Sequence, residues 1–134
     1  MDTDIRWKQR FQNFERAVSR LREGVTMLRK EPANFLMQAG LIQTFEFTFE
    51  LAWKVLKDFL ESEGFVVQSP KSVIRQAFQS GYIDDAEEWL HALSARNLTV
   101  HTYDDDTAEV IIRTIESSYL PMLERMYNDF AKRL

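Results

Sequence analysis

Cysteine is absent from the 134 residues, which excludes a disulfide framework and thiol catalysis. With only two histidines as well, little remains from which to build a structural zinc site. Four glycines and three prolines are too few for an all-β design, which needs frequent tight turns. No apolar run approaches ~20 residues, so no transmembrane helix is expected. The opening Met1-Asp2-Thr3-Asp4 lacks the basic-then-apolar pattern of a signal peptide. These absences predict a cytoplasmic chain with no membrane association.

What is there is ordinary in bulk and specific in pattern. Hydrophobic residues make up 45% and charged residues 28%, as in soluble globular proteins. The length suits one core, so residues 1–134 are read as a single domain. The net charge of −4 conceals an asymmetry. Residues 1–30 carry eight Lys and Arg against four Asp and Glu, leaving −8 on the remainder. A basic first helix fits RNA phosphates, an acidic partner surface, or simply a solvated face beside an apolar stripe.

Trp7, Phe11, Phe14, Val18, Leu21, Val25 and Leu28 alternate spacings of four and three, which predicts a long amphipathic helix stopped near Pro32. A second helix is predicted from about Asn34 to a C′ glycine at Gly64. Leu41, Phe45, Phe49, Leu56 and Leu60 form its stripe, which Phe47 and Trp53 widen, so it should lie centrally. Gln43, Glu46, Glu50 and Lys54 make a polar line along it, with Glu50 and Lys54 placed as an i,i+4 pair. Glu46, Glu50 and Lys54 are therefore candidate binding residues.

Ser69-Pro70 reads as an N-cap followed by proline at the first helical position, opening a short helix to Ser80. Val73, Ile74, Ala77 and Phe78 are expected to face inward there. Asp84 with Glu87 reads as the cap of the next helix, to about Ala95, which buries Trp89, Leu90 and Leu93. Asp106 with Glu109 opens the last helix, which Pro121 should kink or split. The prediction is all-α: an antiparallel four- to five-helix up-and-down bundle with three long helices and a short pair.

The chemistry concentrates in Arg96-Asn97-Leu98-Thr99-Val100-His101-Thr102-Tyr103. Arg offers a permanent charge and a planar fork of donors suited to phosphate. His can both take and give a proton near neutrality. Together they suffice for metal-free RNA cleavage. In one continuous helix, however, a separation of five places them about 140° apart. They converge only if the helix ends between them or if two copies meet. The competing reading is that both side chains brace carbonyls at a helix end. His91 is expected on the surface, and Asp104-Asp105-Asp106 reads as an acidic helix start rather than a Mg²⁺ site. No Gly-rich phosphate loop and no Gly-x-Ser is present, so the chain is not expected to transfer nucleotidyl groups by itself.

Three stretches in register resemble one family. They are Gln43-Thr44-Phe45-Glu46-Phe47-Thr48-Phe49-Glu50-Leu51-Ala52-Trp53-Lys54, then Ser69-Pro70-Lys71 with Ala77-Phe78, then Arg96 through Tyr103. Over roughly residues 5 to 131 the chain resembles the nucleotidyltransferase substrate-binding proteins, within the HEPN superfamily. The resemblance implies a bundle similar to the C-terminal domain of kanamycin nucleotidyltransferase. It also implies a homodimer and a separately encoded minimal nucleotidyltransferase as partner, often as a toxin–antitoxin pair, with RNA or a nucleotide as ligand and no cofactor or metal. In HEPN ribonucleases an Arg, the polar residue after it and a His four to six positions from the Arg form the active motif. Arg96, Asn97 and His101 occupy those positions. Where such a motif ends His-x-Tyr, the tyrosine is a target of the partner nucleotidyltransferase, and Tyr103 matches it. Two functions follow: a binding subunit of the nucleotidyltransferase, or a metal-independent endoribonuclease neutralised by it.

Overall fold

A computed structural model describes residues 2–98 and 105–134, and every regular element among them is helical. Helix α1 (Asp2–Lys30) and helix α2 (Phe35–Ser62) run antiparallel and share the largest interface. Helix α3 (Pro70–Gln79) packs on α2, and helix α4 (Ala86–Leu98) on α2 and α3. The chain closes with α5 (Asp105–Thr114), a π-helical turn (Ile115–Tyr119) and α6 (Leu120–Ala131). Taken as one interrupted rod, that last stretch makes five helices, the expected bundle of three long helices and a short pair.

The predicted seam of α1 is buried from Trp7 to Leu28. On α2, burial runs around most of the circumference, from Leu41 to Leu60. An apolar helix of that kind must be surrounded, and α1, α3, α4 and α5 do so. Aromatic rings interlock at one end of the core. Trp7 meets Phe59 edge-on at 5.3 Å, and Phe59 meets Phe130 edge-on at 5.1 Å. The Arg133 guanidinium lies 5.0 Å from the Tyr82 ring centroid, covering the cluster.

Local signals set the helix ends. Asn34 caps α2 by accepting from the Met37 amide at 3.1 Å. Ser69 and Ser72 bond reciprocally across the start of α3, with Pro70 in its first turn. Gly64 and Gly81 take φ +93° and +80°. Behind each, paired amide bonds close the helix: Phe65 to Leu60 and Gly64 to Glu61, then Tyr82 to Ala77 and Gly81 to Phe78.

Four expectations are corrected. The cap of α4 is Asp85, whose Oδ1 accepts from the Glu88 amide at 3.1 Å, while Asp84 turns to Arg125 at 3.2 Å. Helix α4 runs past Ala95 to Leu98. Phe78 and Phe47, placed on apolar faces by periodicity, are 47% and 62% exposed. In each case the helical face is wider in sequence than the surface its neighbours cover.

The last helix is interrupted as expected, by a π-helical turn at Ile115–Tyr119 with Pro121 in the first turn of α6. Pro121 has no amide to donate and its ring crowds the carbonyl four residues back. The wide turn before it absorbs that misfit, with the Leu120 amide reaching back to the Ile115 carbonyl. The same turn sets register against α4. Ser118 Oγ donates to Glu88 at 2.7 Å and Tyr119 Oη donates to the His91 carbonyl at 3.4 Å.

One carboxylate lies in the core. Asp58 is 2% exposed, with Oδ2 2.8 Å from Arg10 Nη1. The contact is ionic rather than a well-directed hydrogen bond. Burial raises the Asp58 pKa above the ordinary carboxylate value, against the opposing pull of Arg10 and Arg6. Arg10→Met should therefore cost about 2–3 kcal/mol at neutral pH by leaving a buried charge without its counter-ion. The native state holds the Asp58 proton more tightly than the unfolded chain does. Its contribution to stability accordingly grows as pH falls through the raised pKa and is lost as pH rises. The Arg10→Met deficit should shrink on acidification toward the carboxylate range, a trend that thermal melts across pH will check.

Candidate functional site

Arg96 sits in the last turn of α4, where a cation is favoured by the carbonyl ends of the helix. The helix is fixed against α2 by buried Trp89, Ala92, Leu93 and Ala95, with Trp89 5.7 Å from the Phe49 ring. The two buried alanines present small surfaces to the core, so α4 can lie close to its neighbours. Its last turn thereby projects Arg96 across to the polar line of α2.

There the Arg96 Nη1 donates to Glu50 Oε2, an ion pair spanning 46 positions of sequence. Glu50 is the hub of the cluster. Its Oε2 also accepts from Trp53 Nε1 at 3.0 Å, and its Oε1 lies 3.3 Å from Lys54 Nζ. The Arg96 side chain is 23% exposed and that of Glu50 32%, so the pair is partly shielded yet reachable. Gln43, Glu46, Phe47, Glu50 and Arg96 line a pocket of about 270 Å³ above it.

The structure thus brings together Glu46, Glu50, Lys54 and Arg96 of the predicted residues. Asn97 is exposed beside them on the same helix end. His101 and Tyr103 lie outside the described residues, as do Thr99, Val100, Thr102 and Asp104. Arg96 reaches a different helix through Glu50; the competing reading also involves His101, which lies outside the described residues. His91 is exposed, as expected. Gln43 was read in the polar line but not as a binding residue, and Phe47 was assigned to the apolar face although it is exposed at the pocket. Trp53 is buried as expected, with only its indole N–H reaching the cluster.

Chemically, the pocket offers a held guanidinium fork, a carboxylate that orients it and an exposed ring at the rim. Such a fork can receive a phosphate oxygen pair. Among the described residues, no group of three or more His, Cys, Asp or Glu is placed to hold a metal ion. No helix among them is long and apolar enough to cross a membrane.

Comparison with known proteins matches the chain to one family. The sequence model described as "Nucleotidyltransferase substrate binding protein like" covers residues 9–132. A Haemophilus influenzae protein named "Probable ribonuclease HepT" is 33% identical over 102 residues, 69% of this chain and 70% of that one. A solved H. influenzae structure, described as revealing the fold of a substrate-binding domain of a nucleotidyltransferase, superposes with a TM-score of 0.80 at 24% identity. That match covers 89% of this chain and 97% of the other. A tri-AMPylated Shewanella oneidensis HEPN toxin, solved in complex with an MNT antitoxin, gives 0.77 at 13% identity, covering 94% and 96%. At those identities the two structures show the fold alone.

The energetics of the ion pair are testable. Arg96→Ala should lower stability by no more than about 1 kcal/mol, because the pair is partly exposed. Glu50→Ala should cost about 1–2 kcal/mol, since Arg96, Trp53 and Lys54 all lose their acceptor. Melting both single variants and the double should give a coupling of roughly 0.5–1.5 kcal/mol. A coupling near zero would mean that Glu50 does not position Arg96.

Proposed function

The chain belongs to the nucleotidyltransferase substrate binding protein-like family, and from that membership we propose that it is the helical partner subunit of a separately encoded minimal nucleotidyltransferase. The observation that carries the reading is the Arg96 fork held on Glu50 at an open pocket, within a fold matched nearly end to end by the family. The pocket binds a phosphate-bearing ligand, with Arg96 as the anion receptor, Glu50 and Lys54 positioning it, and Glu46 at the rim. The subunit works as a cytoplasmic homodimer, and the pair behaves as toxin and antitoxin, as in the Shewanella complex.

A second reading is supported by the name of the Haemophilus relative and by the unbroken Arg96, Asn97, His101 spacing: a metal-independent endoribonuclease. In it, one imidazole takes the proton of a 2′-hydroxyl as that oxygen attacks phosphorus. The bond from phosphorus to the 5′-oxygen breaks, and a second imidazolium, from the other copy, protonates the leaving oxygen. The products are a 2′,3′-cyclic phosphate and a 5′-hydroxyl. Arg96 stabilises the charge of the pentacoordinate phosphate, and Asn97 supplies a polar neighbour. Transfer of an adenylyl group from ATP to the Tyr103 hydroxyl, with release of pyrophosphate, adds bulk and negative charge to the motif and so opposes binding of an RNA phosphate there.

Co-expression with the product of the neighbouring nucleotidyltransferase gene is the first test: the two chains should purify together, and this chain as a dimer. A monomer that ignores such a product would sink the proposal. Tyr103→Phe should remove incorporation of AMP from ATP by the partner. For the ribonuclease reading, His101→Ala should abolish cleavage of single-stranded RNA while its melting temperature stays within a few degrees. Arg96→Lys should restore little of the activity lost in Arg96→Ala, because an ammonium cannot reproduce the bidentate fork.

A further inference from the structure

Of the eight basic residues of α1, five pair with acids, Lys30 sits exposed in the last turn, where the helix carbonyls favour a cation, and Arg16 and Arg20 remain. Arg6, Lys8, Arg10, Arg22 and Arg29 each pair with an acid: Glu61, Asp4, Asp58, Glu124 and Glu116. Arg16 and Arg20 have no such partner among the described residues, and Arg16 reaches only the Asn13 side-chain oxygen, at 2.8 Å. They stand four apart on one face of α1, an arrangement of like charges that disfavours the helix slightly. Both are exposed and line a groove of about 550 Å³ between α1 and α2.

The opposite wall of that groove is formed by Gln43, Phe47 and Leu51, four residues apart along α2. Phe47 is 62% exposed. Gln43 and Phe47 also line the Arg96 pocket, so groove and pocket adjoin on either side of one ring. An uncompensated pair of guanidiniums facing an exposed aromatic ring matches the chemistry of a nucleotide: phosphate for the forks, a base for the ring.

We propose that this groove is a nucleotide subsite adjoining the Arg96 pocket, in which Phe47 stacks a base and Arg16 and Arg20 hold the neighbouring phosphate. The inference rests on the reading that the Arg96 pocket receives a phosphate-bearing ligand, and adds to it where the next unit of that ligand lies. The groove volume is that of a single nucleotide rather than of a duplex. The ligand chemistry is shared by a free nucleotide and by one unit of a single strand. Phe47 serves as the hinge between two phosphate positions: Arg96 on one side and the α1 arginines on the other.

The test is binding of a labelled, 2′-O-methylated RNA strand of about eight nucleotides, which cannot be cleaved, and separately of AMP, at several salt concentrations. The Arg16→Ser/Arg20→Ser protein should bind the strand roughly tenfold more weakly. The slope of log affinity against log salt should flatten by about 1.4, the share of two phosphate contacts on a single strand. Phe47→Ala should lose roughly five- to a hundredfold, and Phe47→Tyr should retain most of the binding. Lys71→Ser, on the exposed face of α3, should change neither. Binding of AMP with the same dependence on Phe47 identifies a free nucleotide as occupant; binding of the strand alone identifies a polynucleotide. The proposal is overturned if wild-type protein binds neither ligand, or if the groove variants stay within twofold of wild type. It is also overturned if their effect is a change in sedimenting mass, which would make the groove a contact between copies. Co-purification with a nucleotidyltransferase is read independently, so failure here leaves the partner reading standing or falling on its own experiment.

Discussion

Everything in this bundle answers to the burial of α2. A helix with Phe45, Phe49, Val55, Leu56 and Leu60 fully enclosed and Ile42, Trp53 and Phe59 nearly so cannot present one face to a core and the other to water. It must be ringed, and the order of the remaining helices follows from ringing it. The polar groups left on it then become conspicuous, because each needs a partner brought by another helix or by its own backbone. Thr48, fully buried, donates to the Thr44 carbonyl at 2.6 Å and lies 3.4 Å from the Ala17 carbonyl of α1. Asp58 takes Arg10 of α1, and Glu50 takes Arg96 of α4. The first two bind the bundle together. The third also lines the Arg96 pocket with its own side chains, which is why the same constraint that shapes the core also marks the site.

The Glu50–Arg96 pair has a consequence for ligand binding. A carboxylate on a guanidinium orients the fork and also competes with any incoming phosphate. With both side chains partly exposed, the pair is worth little in free energy, so exchange for a phosphate is not prohibitive. Lys54 stays beside Glu50, 3.3 Å from its other oxygen, and can keep that carboxylate neutralised while Arg96 turns to an anion. Trp53 Nε1 holds the shared oxygen from the core side, which fixes where Glu50 can retreat. The site is thus organised from α2 outward, although the motif that announces it lies on α4.

What could be read from the sequence was local. The periodicity of α1, the Ser69 cap and the C′ glycine at Gly64 rest on local interactions, and each was found where the sequence placed it. The family resemblance, carried by three separated stretches, was met by a match over residues 9–132. What could not be read depended on distance in the chain. Nothing in spacing says that Glu50 and Arg96 meet, or that Phe47 and Phe78 lie beyond the reach of any neighbouring helix. The choice of Asp85 over Asp84 as cap is set by Arg125, 41 residues away from Asp84. The wide turn before Pro121 is a middle case. The proline announced a defect, but its form depended on the Ser118 and Tyr119 contacts with α4.

The charge asymmetry of the first thirty residues resolves in the same way. An excess of four positive charges on one helix invites an external anion as explanation. Most of that excess is spoken for internally: Arg6, Arg10, Arg22 and Arg29 reach acids on α2, the π-helical turn and α6. The basic helix and the acidic remainder are therefore largely two halves of one folded charge pattern, and the net asymmetry by itself implies nothing about partners. Information lies in the residue of that subtraction. Arg16 and Arg20 are left unanswered by any acid among the described residues, and they line the groove that adjoins the Arg96 pocket. Lys30, also without an acid among those residues, is accounted for by the carbonyl end of its own helix, whereas Arg16 and Arg20 lie mid-helix, across the groove from the exposed aromatic ring that pocket and groove share.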